Sequence, residues 1–327
     1  MKLDFQTKLL LISFAVTVVL GLIIVPILRA LKVGQIERND GPESHLKKQG
    51  TPTMGGIIIM LGIIIVTVAA YVYYKGKDAE LAHNLLPILG LTIGFGIIGF
   101  IDDFKKLVLK NTKGLKPSLK MLGLLLISVI FVMYLTKGLN LGTDTYIPIM
   151  KEYISIPIYA YIPFAILVIL ATTNAVNLTD GIDGLSSSVC TIIITCLTVI
   201  ATIFGVKEIV VFGAIVIGAV LAFLMFNIYP AKAFMGDTGS LFLGGVISGI
   251  ALYLKMPLLL LLIAIIPVIE TISVIIQVAF FKKTGKRVFK MAPIHHHFEL
   301  SGWRENKVVM VFSVITLIVC VIGLQII

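Results

Sequence analysis

The sequence carries little charge for its length. Asp, Glu, Lys and Arg make up 13% of its 327 residues, whereas a soluble domain carries about 25%. Hydrophobic residues account for 58% of the chain, and the mean hydropathy is +1.06. Long apolar runs take the place of the missing charge, and they leave little of the chain for a soluble domain.

Motifs for cofactors and cross-links are scarce as well. The three cysteines, Cys190, Cys196 and Cys320, lie in apolar runs and lack the spacing of a metal site or a disulfide framework. We therefore expect them to be small buried hydrophobes. The absence of a GxxxxGK[ST] motif excludes a P-loop enzyme. No internal repeat is visible, whereas inverted repeats would have indicated a transporter.

Long apolar runs recur along the whole chain. A helix that crosses a bilayer needs about 20 mostly apolar residues, and its backbone groups must pair within the segment. We therefore predict an all-α integral membrane protein, a polytopic bundle of about ten transmembrane helices forming one domain over residues 1–327. The predicted spans lie near residues 9–30, 55–74, 84–101, 119–136, 160–176, 186–204, 208–227, 239–254, 257–281 and 307–326.

The loops between the runs fall into two sets by charge. One set, with its flanking positions, carries 18 Lys or Arg residues, and the other set, with the N-terminus, carries 8. The positive-inside rule predicts that the first set is cytoplasmic, so with ten spans both termini face outward. In the outer loop 138–159, partial strand-like alternation predicts a short exposed hairpin. The predicted cytoplasmic loops are 32–54, 102–118, 177–185, 228–238 and 282–306.

Five carboxylates lie where predicted spans meet cytoplasmic loops. They are Asp102, Asp103, Asp180, Asp183 and Asp237. Charged groups at membrane depth are costly and indicate function. Structural alternatives remain open: Asp183 and Asp237 could be helix N-caps. The adjacent pair at the end of the third span opposes the helix dipole, but the lysines that follow it could compensate a solvated helix end.

The chemistry of these acids favours phosphoryl transfer. Hard oxygen ligands suit Mg²⁺, which typically binds one or two carboxylates together with substrate phosphates. Mg²⁺ beside a basic rim is what phosphoryl transfer requires. Because the acids lie at one membrane face, we expect a lipid phosphate and a soluble phosphate ester as substrates. The lysines of the predicted rim are Lys48, Lys105, Lys106, Lys113, Lys116 and Lys120.

Six motifs, in order and with the ten-span layout, resemble the phospho-N-acetylmuramoyl-pentapeptide transferase family of bacterial cell-wall synthesis. They are HLKKQGTPTMGG (45–56), GFIDDFKK (99–106), NAVNLTDGIDGL (174–185), MGDTGSLFLGG (235–245), ETISVIIQV (270–278) and KMAPIHHHFELSGW (290–303). Two departures are Ile182, where Leu is frequent, and Ser313, where many members carry Trp.

The resemblance implies a reaction and its setting. The family uses Mg²⁺ to join UDP-MurNAc-pentapeptide to undecaprenyl phosphate, giving lipid I and UMP. It implies a multi-pass protein of the bacterial plasma (inner) membrane whose active site is cytoplasmic. The lipid bilayer is then a partner and nucleic acid is not, while a homodimer is left open.

The resemblance also implies roles for residues. Asp102, Asp103 and Asp237 are implied to be catalytic, with Asp102 activating the lipid phosphate. Asp237 is the main implied Mg²⁺ ligand, and Asn177 belongs to the same metal region. Other implied substrate positions are Asn177, Asp180 and Asp183 in the nucleotide region, Leu178, Gly181, Asn227, Phe234 and Gln277 at the uridine pocket, and Lys48, Lys106 and Lys120 on the basic rim.

Two mechanisms are compatible with these residues. In one, Asp102 deprotonates the lipid phosphate, which attacks the β-phosphate of the UDP-sugar directly. In the other, an Asp is the nucleophile and a covalent phospho-MurNAc enzyme forms. We favour direct attack, because a phosphate is already an anionic nucleophile and the reaction then needs mainly positioning and charge compensation.

Two other functions are kept as alternatives. A polyprenyl-phosphate transferase for UDP-GlcNAc or a related UDP-HexNAc would share the acid motifs and the lipid. A transporter would use intramembrane acids as a cation or proton relay, but it would place them near the bilayer midplane and in paired halves.

Three of the five histidines are adjacent, at His295, His296 and His297 in MAPIHHHF. Adjacent side chains point in different directions, so a metal site made from all three histidines is disfavoured. An affinity tag is also disfavoured, because the run is short, internal and between two predicted spans. The run lies in the cytoplasmic loop 282–306, where imidazoles can donate hydrogen bonds to phosphate or sugar oxygens. We predict that the three histidines bind substrate. Glu270, well inside an apolar run, has no predicted partner.

Overall fold

The computed structural model describes residues 4–31, 48, 50–107, 109 and 114–327. It confirms the predicted all-α class. A π-helical turn (Tyr134–Gly138) extends α4, and a 3-10 turn (Pro257–Leu259) precedes α9. The helices are α1 (Phe5–Ala30), α2 (Gly56–Lys75), α3 (Ala79–Leu107), α4 (Pro117–Met133), α5 (Ile158–Thr179), α6 (Leu185–Ile203), α7 (Lys207–Asn227), α8 (Gly236–Tyr253), α9 (Leu260–Ile263), α10 (Ile265–Thr284), α11 (Ile294–Glu299) and α12 (Glu305–Gln325).

Within the described part of the chain, nine helices are long and apolar enough to cross a membrane: α1 to α7, α10 and α12. The remaining predicted span, near residues 239–254, is α8. This helix contains Asp237 and five glycines, and every residue from Thr238 to Tyr253 is buried. Its composition is less apolar than that of the other nine because protein, not lipid, surrounds it.

Helix α8 packs very closely against α3. A Cβ atom at Gly99 of α3 would lie only 2.2 Å from the backbone oxygen of Asp237. Small residues allow helix backbones to approach in this way. The close contact brings the C-terminal end of α3, with its two acids, to the N-terminal end of α8.

The predicted hairpin is present at the opposite end of α8; its second strand is exposed as predicted, but Thr145 and Tyr146 of the first strand are buried. Strand β1 (Asp144–Ile147) pairs antiparallel with β2 (Glu152–Ser155), and Thr145 lies opposite Ile154. The backbone N–H of Tyr146 donates to the oxygen of Lys255 at 2.7 Å, which ties the hairpin to the residues that follow α8.

The start of α1 and the C-terminus lie at the hairpin end of the bundle, away from the acids. Lys151 in the hairpin turn donates to the backbone oxygen of Ile327 at 3.0 Å. Phe5 stacks on Tyr73 near the end of α2, with ring centroids 4.5 Å apart. The start of α2 lies at the other end, because the Gly56 N–H bonds the oxygen of Met235.

Candidate active site

Two lysines join two carboxylates where α3 meets α8. Lys106 Nζ lies 2.7 Å from Asp102 Oδ2 and 3.0 Å from Asp237 Oδ2. Lys120 Nζ, from the first turn of α4, lies 3.3 and 2.8 Å from the same two oxygens. Asp102 is 3% exposed, and its Oδ1 accepts the Leu115 N–H at 2.7 Å. Such a buried charge is tolerated only when it is paired and hydrogen-bonded, and here both conditions hold.

Asp103 has a different set of partners. Its Oδ1 accepts the backbone N–H of Asp237 at 3.2 Å. Its Oδ2 accepts the N–H of Thr238 at 2.9 Å and the Thr238 hydroxyl at 2.6 Å. The first N–H groups of a helix lack partners within it, so Asp103 of α3 caps α8 from outside. The two adjacent acids thus serve different structural purposes, and the catalytic role of Asp103 stays a prediction.

The N-cap alternative for Asp183 and Asp237 is wrong. The residue before α6 is Gly184, and α8 follows Met235; neither helix has a side-chain cap from its own N-terminal segment. The Asp183 carboxylate instead binds Lys48 and the backbone N–H of Ala231. Asp237 lies inside the first turn of α8.

Asn177 and Asp180 extend the cluster from the end of α5. Asn177 Nδ2 donates to Asp237 Oδ1 and to Ser240 Oγ, both at 2.8 Å. Asp180 follows the last residue of α5. Desolvation, together with the charges of Asp237 and Asp103, raises the pKa of Asp180 to about 8. Carboxylates are therefore crowded here.

A second ion-pair group lies beside the first. Lys48 Nζ lies 2.7 Å from Asp183 Oδ1 and 2.5 Å from Glu305 Oε1. The same Glu305 oxygen accepts the Asp183 N–H at 2.6 Å, and Asp183 Oδ2 accepts the Ala231 N–H at 2.9 Å. Burial alone would lower the pKa of Lys48, but the two carboxylates outweigh it and raise that pKa. Lys48, the α5–α6 turn and the start of α12 are thereby held together.

Two of the residues implied for the uridine pocket, Asn227 and Phe234, lie at the end of α7 and in the loop that follows it. Asn227 is 3% exposed; its Oδ1 accepts from Ser187 at 2.7 Å and its Nδ2 donates to the oxygen of Ala233 at 3.0 Å. Phe234 presents its ring to Lys48 Nζ, 6.0 Å from the centroid. Leu178 is half-buried next to Asn177. Their contact with a nucleotide stays a prediction.

The three histidines lie on the short helix α11, in three different environments. His295 is fully buried, and its Nδ1 lies 3.1 Å from Glu270 Oε1. His296 Nδ1 lies 2.8 Å from Glu299 Oε2. His297 Nδ1 accepts the Lys290 N–H at 3.1 Å. His295 has no solvent-exposed surface in this arrangement, whereas His296 and His297 are half-buried. Substrate binding by the three histidines stays a prediction.

Gln277 of α10 supports the loop that leads to α11. Its Oε1 accepts the N–H groups of Val288 and Phe289 at 3.0 and 2.9 Å, and its Nε2 donates to the oxygen of Phe289 at 3.1 Å. The side-chain amide is thus fully engaged with backbone. Its predicted place at the uridine pocket stays a prediction.

The residues present fit a divalent cation that arrives with substrate. Among the described residues, no group of three His, Cys, Asp or Glu side chains is placed to hold a metal ion. Mg²⁺, however, usually takes only one or two protein carboxylates and completes its shell with phosphates and water. The crowded carboxylates of Asp237 and Asp180, next to the Asn177 amide, supply the hard oxygen donors that this requires.

Some residues of the site were missed from sequence. Glu305 binds Lys48 and Asp183, and its only signal was an acid at the boundary between the last basic loop and the last span. Thr238 and Ser240 stand within MGDTGS but were not singled out. Lys113 lies outside the described residues. The same is true of residues 32–47 and 49, which make up most of the loop 32–54 and the start of the motif 45–56.

The fold and the site define a polytopic membrane transferase whose acids and lysines meet at one end of a helical bundle. A family model for glycosyl transferase family 4 matches residues 85–255. A second model, phospho-N-acetylmuramoyl-pentapeptide-transferase signature 1, matches residues 48–60.

Full-length relatives narrow this class. Phospho-N-acetylmuramoyl-pentapeptide-transferase of Acetivibrio thermocellus is 49% identical over 314 residues, covering 95% of this chain and 92% of the relative. The proteins of that name from Clostridium botulinum strain Alaska E43 and Clostridium kluyveri are 51% and 50% identical, covering 96% of this chain and 94% and 96% of their own lengths. The chain belongs to the phospho-N-acetylmuramoyl-pentapeptide-transferase family, and is a multi-pass bacterial membrane enzyme.

Proposed function

We propose that this protein transfers phospho-MurNAc-pentapeptide from UDP-MurNAc-pentapeptide to undecaprenyl phosphate. The products are lipid I and UMP, and the reaction belongs to peptidoglycan biosynthesis. The observation that carries the proposal is the pair of lysines, Lys106 and Lys120, that Asp102 and Asp237 share. The two ammonium groups can leave the carboxylates and pair with substrate phosphates instead. Family membership supports the choice of substrates.

Asp102 lies where it can act on the attacking phosphate. It is held by Leu115 N–H and by two lysines, so its carboxylate is fixed and ionised partners surround it. We infer that Asp102 takes a proton from, or orients, the undecaprenyl phosphate, whose oxygen then attacks the β-phosphorus of the UDP-sugar. The bond between that phosphorus and the bridging oxygen breaks, and UMP leaves. Lys106 and Lys120 then compensate phosphate charge.

Asp237 and Asn177 would hold Mg²⁺, with Asp180 nearby. A bound Mg²⁺ supplies charge stabilisation for the transferred phosphoryl group and the leaving UMP. The nucleotide is proposed to lie along the turn of Asp180 and Asp183, near Phe234 and Lys48. We propose that the site lies on the cytoplasmic side of the bacterial inner membrane. Whether the protein forms a homodimer is left open.

The decisive experiment is UMP release by the purified protein in detergent or liposomes. UMP should appear from UDP-MurNAc-pentapeptide only when undecaprenyl phosphate and Mg²⁺ are both present. Release from UDP-GlcNAc instead would favour the UDP-HexNAc alternative, and release from neither would favour the transporter. Omitting undecaprenyl phosphate and searching Asp102 for a phospho-MurNAc adduct tests the mechanism; such an adduct would overturn direct attack.

A further inference from the structure

A carboxylate is buried inside α10, away from the lysines of the candidate active site. Glu270 has no exposed surface and lies in an otherwise apolar run of that helix. A carboxyl group in such surroundings is costly unless another polar group pairs with it. Glu270 therefore needs a partner, and the described residues provide one.

That partner is His295, which is also fully buried. The Oε1 atom of Glu270 lies 3.1 Å from the ring Nδ1, and Oε2 lies 3.5 Å from the His295 backbone N–H. A carboxylate at Nδ1 orients an imidazole and fixes which ring nitrogen faces away from it. The contact joins α10 to α11 across a separation of 25 residues.

The far side of the same ring lies against the turn between α5 and α6. A Cβ atom at Gly181 would come within 2.2 Å of His295 Nε2 and 2.6 Å of Cε1. Only glycine leaves room for the ring there. Gly181 stands between Asp180 and Asp183, so the imidazole lies directly behind the turn that carries both acids.

The Nε2 atom is also an unsatisfied polar group. It is buried and has no hydrogen-bond partner among the residues that the structure describes, and the same holds for Nδ1 and Glu270 Oε1, whose 3.1 Å contact is close but lacks hydrogen-bond geometry. Buried polar atoms without partners are rare and call for an explanation. A packing role alone would be met at less cost by an apolar side chain, since a buried polar group is costly unless its hydrogen bonds are made.

We propose that Glu270 is a positioning residue for the transfer reaction: it holds the His295 ring against Gly181 and thereby fixes the turn of Asp180 and Asp183. The proposal rests on the proposed function, which assigns that turn to the nucleotide. Glu270 acts through His295 and touches no substrate.

The test is a double-mutant cycle with Glu270→Gln and His295→Ala, scored by UMP release. Glu270→Gln should lower kcat/KM by about 10- to 100-fold, the range for partners that orient a functional imidazole. KM for the UDP-sugar should rise, because the turn is misplaced; a loss of folded protein alone would lower kcat and leave KM unchanged. In the His295→Ala background, the Glu270 change should have little further effect.

The matched control is Glu208→Gln. Glu208 is a partly buried carboxylate at the hairpin end of the bundle, where it accepts from Tyr253 at 2.7 Å and from Asn84 at 3.3 Å. This variant should keep wild-type kcat/KM. Wild-type kinetics for Glu270→Gln, an unchanged KM, or effects that multiply in the double variant would each overturn the proposal. If Glu270→Gln does not fold, Glu270→Asp replaces it in the same cycle, since it keeps the charge but shortens the reach to Nδ1.

A second measurement does not depend on turnover. Diethyl pyrocarbonate should modify His297 in the wild-type protein and spare His295, as read by mass spectrometry of the modified peptide. Glu270→Ala should expose His295 to the reagent, and Glu208→Ala should not. A His295 that stays protected in Glu270→Ala would refute the contact. Failure of the wild type to release UMP would refute the proposed function and leave this contact testable.

Discussion

At the scale of single residues, the neighbours Asp102 and Asp103 show how adjacent acids can differ. Successive side chains on an α-helix point about 100° apart, so the two carboxylates of α3 face different surroundings. Asp102 faces the lysines Lys106 and Lys120. Asp103 faces the N-terminus of α8 and accepts three hydrogen bonds from Asp237 and Thr238.

Replacing Asp103 with Asn should destabilise the protein. The amide places an NH2 group against donors of Asp237 or Thr238, so at least one cap bond is lost. Loss of a helix cap costs about 1–2 kcal/mol, and the variant should melt at a lower temperature in detergent. Thermal unfolding followed by near-UV circular dichroism measures this.

Asp78→Asn is the matched control for that cap. Asp78 accepts the Leu81 N–H at 3.1 Å at the start of α3, and Asn is an equally good cap when only one bond is made. Its melting temperature should match the wild type. Asp102→Asn, by contrast, should abolish most UMP release with a smaller loss of stability. Equal melting of Asp103→Asn and the wild type would contradict the capping role.

Glu305 is the residue whose removal should most affect the second ion-pair group. Glu305→Gln removes the charge that balances Lys48 and weakens the acceptor for the Asp183 N–H. We expect kcat/KM for the UDP-sugar to fall about tenfold, or about 1.4 kcal/mol, mainly through a higher KM. Steady-state UMP release measures both constants.

Glu152→Gln serves as the control for Glu305, because Glu152 is an exposed acid of the hairpin. It should behave as the wild type. A Glu305→Gln enzyme with unchanged kinetic constants would show that Lys48 does not need this partner.

The positions of the acids were predictable from the sequence, but their partners were not. A carboxylate at the end of an apolar run is visible in a single chain, as at Asp102 and Asp237. The cap that α8 needs comes from Asp103, which is 134 residues away. The sequence pattern favoured a local cap instead, because local signals do not reveal which helix ends meet in three dimensions. Glu270 and His295 were both noted, but their pairing required the packing of α10 on α11.

At the scale of helices, the contact of α3 with α8 sets the distance between Asp102 and Asp237. At Gly99 the backbone of α3 closely approaches that of α8, with Asp237 as its neighbour. A shift of one helix relative to the other would separate the two carboxylates and break the lysine bridges. Helix packing and chemistry are therefore coupled at this point.

Gly99→Ala should damage both stability and activity. The added methyl would lie 2.2 Å from the Asp237 backbone oxygen, and overpacking of this kind costs about 1–3 kcal/mol. UMP release should fall more than the loss of folded protein explains, because Asp237 is displaced. Melting temperature and specific activity are measured on the same preparation.

Gly90→Ala is the control within the same helix. A Cβ atom at Gly90 meets no atom within 4 Å, so activity should stay at the wild-type level and stability should be equal or slightly higher. Full activity in Gly99→Ala would show that α3 and α8 can adjust without moving the site.

At the scale of the whole molecule, hydropathy predicted the long helices, and strand-like alternation predicted the hairpin. Lipid requires apolar helices of about 20 residues, and α1 to α7, α10 and α12 meet that requirement. Helix α8 was also predicted as a span, near residues 239–254, but its surroundings could not be read from hydropathy. Its glycines and Asp237 reduce its apolar character, and only its complete burial explains why such a segment lies within the bundle.

The membrane orientation is the remaining prediction at this scale, and it is testable by cysteine labelling. The three native cysteines are buried, so they should react little with a membrane-impermeant maleimide. Ile149 in the hairpin turn is 87% exposed, and Val288 in the loop before α11 is 45% exposed. Because the loops at the acid end carry most of the Lys and Arg residues, we expect that end in the cytoplasm. Ile149→Cys should therefore label in intact spheroplasts, and Val288→Cys only after permeabilisation. The reverse pattern would place the acids outside, where a soluble nucleotide-sugar made in the cytoplasm could not reach them, and would overturn both the orientation and the proposed reaction.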